Sequence, residues 1–359
     1  MSTSTIPPAG IEPRFIRHLL SRDDAFHRKD EAPDEAFYAQ DRMVSHLDTT
    51  ALTTVERLVG GLLAEEKPVI LDLMASWDSH LPDSVSPAEV VGLGMNEAEL
   101  EANPSLTRSV IHDLNADPVL PFEDETFDVV LNVVSVDYMT RPEEVFQEVG
   151  RVLRPGGLFL VIFSNRWFPP KVVWIWEEAS EHERIGLVQE FFRSAGVFTE
   201  TELFISMGLP RPLEDRYHDR GVPSDPVFAV FAEKRGGHSD GEPRRLPRDP
   251  ARVELDEDEV ERRKAEVART LRCPYCREPL DLWEVPDDPC IDWPNEHMYL
   301  CFNDACQFVV RGWRFMWDQE IEGHSYRYLF NPETGAHTTV PIRGLQDLRP
   351  GIVEQAPGT

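Results

Sequence analysis

The chain has 359 residues, 41% of them hydrophobic, enough for two ordinary domains or one of about 200 residues with an appendage. Its 65 acidic and 36 basic side chains give a formal charge of −29, which argues against broad binding to nucleic acid or anionic lipid. No stretch approaches the roughly 20 apolar residues of a membrane span. The opening MSTSTIPPAGIEPR lacks the parts of a signal peptide, so a cytoplasmic protein is expected.

Residues 1–34 are polar and read as a flexible arm with one short helix near Phe15 to Leu20. From Ala36 to Leu63 apolar residues recur at helical spacing (Phe37, Met43, Val44, Leu47, Leu52, Val55), which predicts one or two helices. Short apolar runs follow at Val69 to Leu73, Val90 to Leu93, Ser109 to His112, Phe127 to Val133 and Leu158 to Phe163. Helix-compatible stretches separate them, the longest being Pro142 to Leu153. This alternation predicts an α/β domain of parallel strands and crossover helices, with its site beyond the carboxyl ends of the strands. A helix over Glu181 to Ala195 and strands at Thr201 to Met207 and Val227 to Glu233 close a domain spanning 35–234.

Residues 235–254, with Gly236, Gly237 and Gly241, read as an exposed linker, and 255–271 as a charged, solvated helix. All five cysteines lie beyond residue 270. Cys273-x-x-Cys276 and Cys301-x4-Cys306 are separated by 24 residues, a spacing that supplies four thiolates to one structural zinc ion. Cys290, between them, reads as a buried spare. Tyr326 to Ile342 predicts a hairpin with Asn331, Pro332 and Gly335 at its turn, so the module covers 272–345 and leaves 346–359 as a tail. Between Leu271 and Glu320 there are 4 Arg and no Lys against 10 acidic residues, a poor footprint for phosphate. A protein partner, or packing within the chain, suits this module better than nucleic acid.

The middle of the first domain carries Asp113, Leu120-Pro121-Phe122, Phe127-Asp128 and Leu153-Arg154-Pro155-Gly156-Gly157. This pattern resembles the type 11 domain of class I S-adenosylmethionine-dependent methyltransferases, over about Leu62 to Lys234. DLMASWDSHLP, VVGLGMNEAEL and SNRWFP are similar to an uncharacterised subgroup of such proteins, while CPYC with CFNDAC resembles the Ogr/Delta-like zinc finger. The resemblance implies a Rossmann-like seven-stranded sheet with a small zinc-ribbon module, and S-adenosylmethionine as cofactor. It places Asp72 on the methionine amino group, Asp113 and the Leu114 amide at the adenine, and Asn132 at the methionine end.

Two positions depart from the family pattern. Met74, Ala75, Ser76 and Trp77 replace the usual glycine-rich loop, and Gly94, followed by Met95 and Asn96, stands where an acidic residue takes the ribose hydroxyls. Asn96 offers an amide instead. The loop either still admits the cofactor or fills its own pocket with Met74 and Trp77.

Methyl transfer needs alignment, and a base only for a protonated acceptor. His80 is the candidate base; Trp77, Tyr138, Asn165 and Arg166 are candidate substrate contacts. Trp167, Phe168, Trp174 and Trp176 suit an apolar wall or the core. The leading expectation is a methyltransferase for a small-molecule or protein acceptor. The alternatives are a non-catalytic scaffold on a degenerate fold and, less favoured by the charge, a nucleic-acid methylase.

Overall fold

A computed structural model describes residues 16–236, 244–286, 293 and 295–353. Cys290 lies outside the described residues, as do parts of the expected arm, linker and tail. The described chain divides into two compact units. The second takes Asp48–Ala51, Ser206–Pro226 and the chain from Arg248 onward, and the first takes the rest.

The first unit opens with α1 (Arg17–Leu20), α2 (Asp34–Tyr38) and α3 (Thr49–Leu62). There follow β1 (Val69–Leu73), β2 (Glu89–Gly94), α4 (Glu97–Ala102), β3 (Arg108–Ile111), β4 (Phe127–Val133), α5 (Pro142–Val152) and β5 (Leu153–Phe163). Then come α6 (Trp174–Glu178), α7 (Glu181–Ala195), β6 (Glu202–Ser206) and β7 (Val227–Glu233). The sheet runs β3-β2-β1-β4-β5-β7-β6, with β1 to β5 parallel and β7 antiparallel to β5. This is the Rossmann-like methyltransferase arrangement. Near-continuous apolar runs such as β7 (VFAVFAE) arise because helices cover both faces of such a sheet. Strand order reverses between β1 and β4, which opens a crevice at their carboxyl ends. Helix α7 starts on a capping box, Ser180 with Glu183, and stops at left-handed Gly196.

Residues 16–34 are packed, where the sequence read as a loose arm. Arg28 bridges to Val173, and the buried Lys171 reaches Asp34 at 3.0 Å and the Ala32 carbonyl at 2.7 Å. Two cations on one buried carboxylate, Arg28 being the other at 2.7 Å, satisfy what would otherwise be an isolated charge. The helical pattern over 36–63 yields α2 and α3, with 39–48 held out of helix by hydrogen bonds to distant residues. Within the presumed linker, Arg244 is buried in ion pairs with Glu65 and Glu233.

The second unit contains α8 (Glu257–Lys264), α9 (Val267–Thr270), β8 (Asp281–Glu284), β9 (His297–Leu300), α10 (Gln307–Asp318), β10 (Ser325–Phe330) and β11 (His337–Ile342). The expected charged helix is thus two pieces. Its four-stranded antiparallel sheet runs β11-β10-β9-β8 over a cluster of Trp283, Met298, Leu300, Phe302, Leu329 and Val340. Elsewhere in this unit, Arg211 lies buried against Asp225 at 2.6 Å and Asp48 at 3.3 Å, while Asp48 also accepts from the amides of Thr50 and Ala51 at the start of α3. Arg211→Ala strands two buried carboxylates and should lower unfolding free energy by about 3–5 kcal/mol in denaturant titration.

Candidate active site and metal centre

The crevice at the strand ends is a cleft with about 1010 Å³ of empty space, its open mouth included. Four segments of the first unit build it. The loop after β1 contributes Asp72, Met74, Ala75, Ser76, Asp78 and His80; the end of β2 and start of α4 contribute Gly94, Met95, Asn96 and Glu99. Asp113, Leu114 and Asn115 follow β3, and Val133, Val134 and Ser135 follow β4. The segment between α1 and α3 adds Asp34, Tyr38, Arg42 and His46.

The loop without glycines is held by bonds to each of its neighbours. The Ala75 amide donates to the Leu93 carbonyl at 2.8 Å, continuing the β1–β2 ladder by one step. Ser76 Oγ donates to Glu99 at 2.6 Å, and Asn103 donates to the Ser76 carbonyl and to Ser79 Oγ. Met74 still adopts left-handed backbone, φ 63°, and so do His80 at 54° and Val134 at 47°. Such conformations cost about 1–3 kcal/mol each and gather at binding sites, where surrounding contacts enforce them. A β-branched residue there is rarer still.

Gly94 explains the second departure. A Cβ at this position would overlap the Ala75 carbonyl oxygen, so an acidic side chain at the end of β2 is incompatible with the path of this loop. Asn96 does not take over, because its amide is spent: Oδ1 caps α4 by accepting from the Glu99 amide, and Nδ2 donates to Tyr38 O and Asp41 Oδ1. Glu99 is the carboxylate on that wall, accepting from the Arg42 amide at 2.7 Å and from Ser76.

Asp72 is buried. It shares the Ser79 hydroxyl, while Oδ2 has no partner among the described residues. Burial pushes its carboxyl up to about 6 from an ordinary 3.8, against the opposing effects of the Ser79 bond and His80. A raised carboxyl pKa means the folded state loses stability as pH climbs from 3.8 to about 6, and a bound cation would offset that cost. Asp113 Oδ1 accepts from the amides of Asn115 and Ala116, which shapes the loop after β3.

Of the residues read from sequence, Asp72, Met74, Ala75, Ser76, Gly94, Met95, Asn96, Asp113, Leu114, His80 and Tyr138 line the cleft. Asn132 does not line it. Its side chain is buried, donating to Leu73 O and Ser135 Oγ. Trp77, Asn165 and Arg166 are also absent from the lining; the Trp77 indole donates to Val44 O at 3.2 Å instead. Trp176 is core, and Trp167 lies under the Arg184 guanidinium. Asp34, Arg42, His46 and Glu99 were missed. The sequence signal for Arg42 and His46 was a basic side chain interrupting an apolar helical pattern; Asp34 and Glu99 carried none.

Residues 77–161 match the methyltransferase domain family. That match supports an enzyme of the S-adenosylmethionine-dependent kind. Among curated relatives, the chain is 48% identical over 42 residues to a sterol 4-C-methyltransferase of Caenorhabditis elegans, covering 12% of this chain and 13% of that protein. It is 39% identical over 83 residues to a phthiotriol/phenolphthiotriol dimycocerosates methyltransferase of Mycobacterium tuberculosis, covering 23% and 31%. The chain therefore spans less than a third of the length of either relative. Among solved structures, a chain of the Haloferax volcanii complex containing the Trm112 methyltransferase activator aligns at TM-score 0.37 and 18% identity, over 52% of this chain and 90% of that one. So low a score carries no argument; the fold stands on its own strand order.

In the second unit the Sγ atoms of Cys273, Cys276, Cys301 and Cys306 lie within 4.8 Å of one another, with Cys276–Cys301 at 3.6 Å and Cys273–Cys306 at 3.8 Å. Disulfides need about 2.05 Å. Zn–S bonds of about 2.3 Å in a tetrahedron place sulfurs about 3.8 Å apart, so the donor set suits zinc. Buried Arg327 steadies the second knuckle by donating to the Cys301 carbonyl and to Asp304.

Two outcomes follow. Gly94→Ala should cost about 1–3 kcal/mol by overpacking, read as a lowered melting temperature. Asp72→Asn should stabilise the ligand-free protein above pH 6 by about 1–3 kcal/mol, with the gain vanishing near pH 4, as denaturant titration at both pH values would show.

Proposed function

We propose that the chain is an S-adenosylmethionine-dependent methyltransferase acting on a small-molecule or protein acceptor, with a structural zinc ion on Cys273, Cys276, Cys301 and Cys306. The observation that carries the reading is Asp72: a buried carboxylate with one unpartnered oxygen, lining a cleft at the switch point of a methyltransferase-type sheet. An unmatched buried anion calls for a cation, and the ammonium of the cofactor's methionine part is one.

When bound, the cofactor supplies an already activated methyl group, so the protein's work is to bind, orient and exclude water. In this reading Asp72 holds the ammonium and Asp113 with the Leu114 amide meets the adenine. Glu99, with lone pairs beyond its two bonds, serves the ribose side that Gly94 and Asn96 leave without a free polar group. The position of Trp77, bonded to Val44 outside the cleft lining, supports an enzyme over a scaffold with a filled pocket. The matched segments of the relatives are too short to carry their acceptors over to this chain.

A closed four-thiolate site leaves zinc no open position, so its role here is to hold the module together. The likeness of this module to the Ogr/Delta finger belongs to the same proposal, as does a protein partner for its acidic surface. Among the described residues no helix is long and apolar enough to cross a membrane.

Calorimetry should show saturable binding of S-adenosylmethionine, lost in Asp72→Ala and Asp113→Ala. Affinity should fall by up to tenfold per pH unit below about 6, where Asp72 takes up a proton. Flat heats from the native protein with cofactor in large excess would sink the reading. Metal analysis should return about one zinc per chain, and a stable, metal-free protein would contradict the zinc assignment.

A further inference from the structure

The acceptor side of the cleft is built by the segment between α2 and α3, which no motif had singled out. Its residues Tyr38, Arg42 and His46 face a wall of Tyr138 and Phe168. These two rings stack at 6.0 Å and 27°, and the Tyr138 hydroxyl accepts from the Phe168 amide at 2.7 Å, which locks the wall. The His46 ring stands edge-on to Phe168 at 5.1 Å and 89°.

Three imidazoles line this cleft; His112 is bonded through Nε2 to the Asp117 carbonyl at 2.8 Å, and His80 and His46 differ in their surroundings. His80 has its buried Nδ1 3.2 Å from Asp78 Oδ2 but not hydrogen-bonded to it, and its amide donates to Asp78 Oδ1, so its backbone is fixed within its own loop. His46 is half-buried, and among the described residues no group hydrogen-bonds its ring nitrogens. Arg42 lies over the Phe37 ring at 4.2 Å, with Nη1 donating to the Gln40 carbonyl. The wall is therefore aromatic, with the His46 imidazole edge-on to Phe168 and the Arg42 guanidinium over that ring at 5.9 Å.

We propose that His46 is the base that takes the acceptor's proton, and that the acceptor is a small aromatic hydroxyl compound seated on Tyr138 and Phe168. This deepens, and rests on, the methyl-transfer reading above. In the step the phenol O–H bond breaks, its proton joins the lone pair of an imidazole nitrogen, and the electron pair stays on oxygen. The products are an imidazolium and a phenolate ready to attack a methyl group. The Arg42 guanidinium, which acts on His46, also favours the phenolate. Asp72, Asp78 and Glu99 face the same space from the β1 loop and α4. Burial first, then His80 and Arg42, hold His46 below its ordinary value, which keeps it unprotonated at neutral pH.

The probe is 4-nitrophenol, whose phenolate absorbs visible light and whose phenol does not, titrated into the full-length protein without methyl donor. The bound probe should ionise about one pH unit lower than the free probe, a tenfold shift, and His46→Gln should abolish that shift. S-adenosylmethionine heats and the melting temperature establish that the variant is folded, and the native protein alone decides if it is not. A probe that stays protonated when bound, one that does not bind, or an unchanged shift in folded His46→Gln would each overturn the proposal. Flat cofactor heats beside an intact phenolate shift would overturn the methyl-transfer reading instead.

Discussion

The first unit depends on one close approach, the Ala75 carbonyl lying against the α-carbon of Gly94. That contact lets the loop after β1 extend the β1–β2 ladder through Ala75 and Leu93. The space that a side chain at the end of β2 would occupy is taken by the Ala75 carbonyl. The two departures from the family pattern are thereby linked: with the loop on this path, an acidic residue at position 94 does not fit.

From this seam the remaining contacts spread outward. Glu99 receives both the loop, through Ser76, and the N-terminal segment, through the Arg42 amide. Asn96 holds the same segment through Tyr38 and Asp41, and Trp77 holds it through Val44. The roof of the cleft is thus fastened to the loop after β1 and to the start of α4. At the far wall Asp34 joins Arg28, Lys171 and Asn115, and Asn115 in turn reaches the Tyr138 carbonyl.

Strands β1, β4 and β7 and helix α7 keep the bounds expected from their apolar runs, because local pattern and buried environment agree there. The type 11 landmarks located the cleft, since they mark strand ends and the sheet order does the rest. What stayed hidden was set by distant partners. Residues 39–48 carry a helical pattern, yet Glu99 holds the Arg42 amide and Asn96 holds the Asp41 carboxylate, partners 57 and 55 positions later. Asn132 sits near a strand end, but its amide is spent on Leu73 O and Ser135 Oγ. Gly94 looked like a loss when read alone, and only the path of Ala75 gives it a reason.

The anchoring of the roof also raises the contact order of the first unit. Asp34 precedes its partner Lys171 by more than 130 residues, and His46 precedes Phe168 by more than 120. Contacts of such long sequence separation slow folding as a whole, because the loop must close before the contact forms.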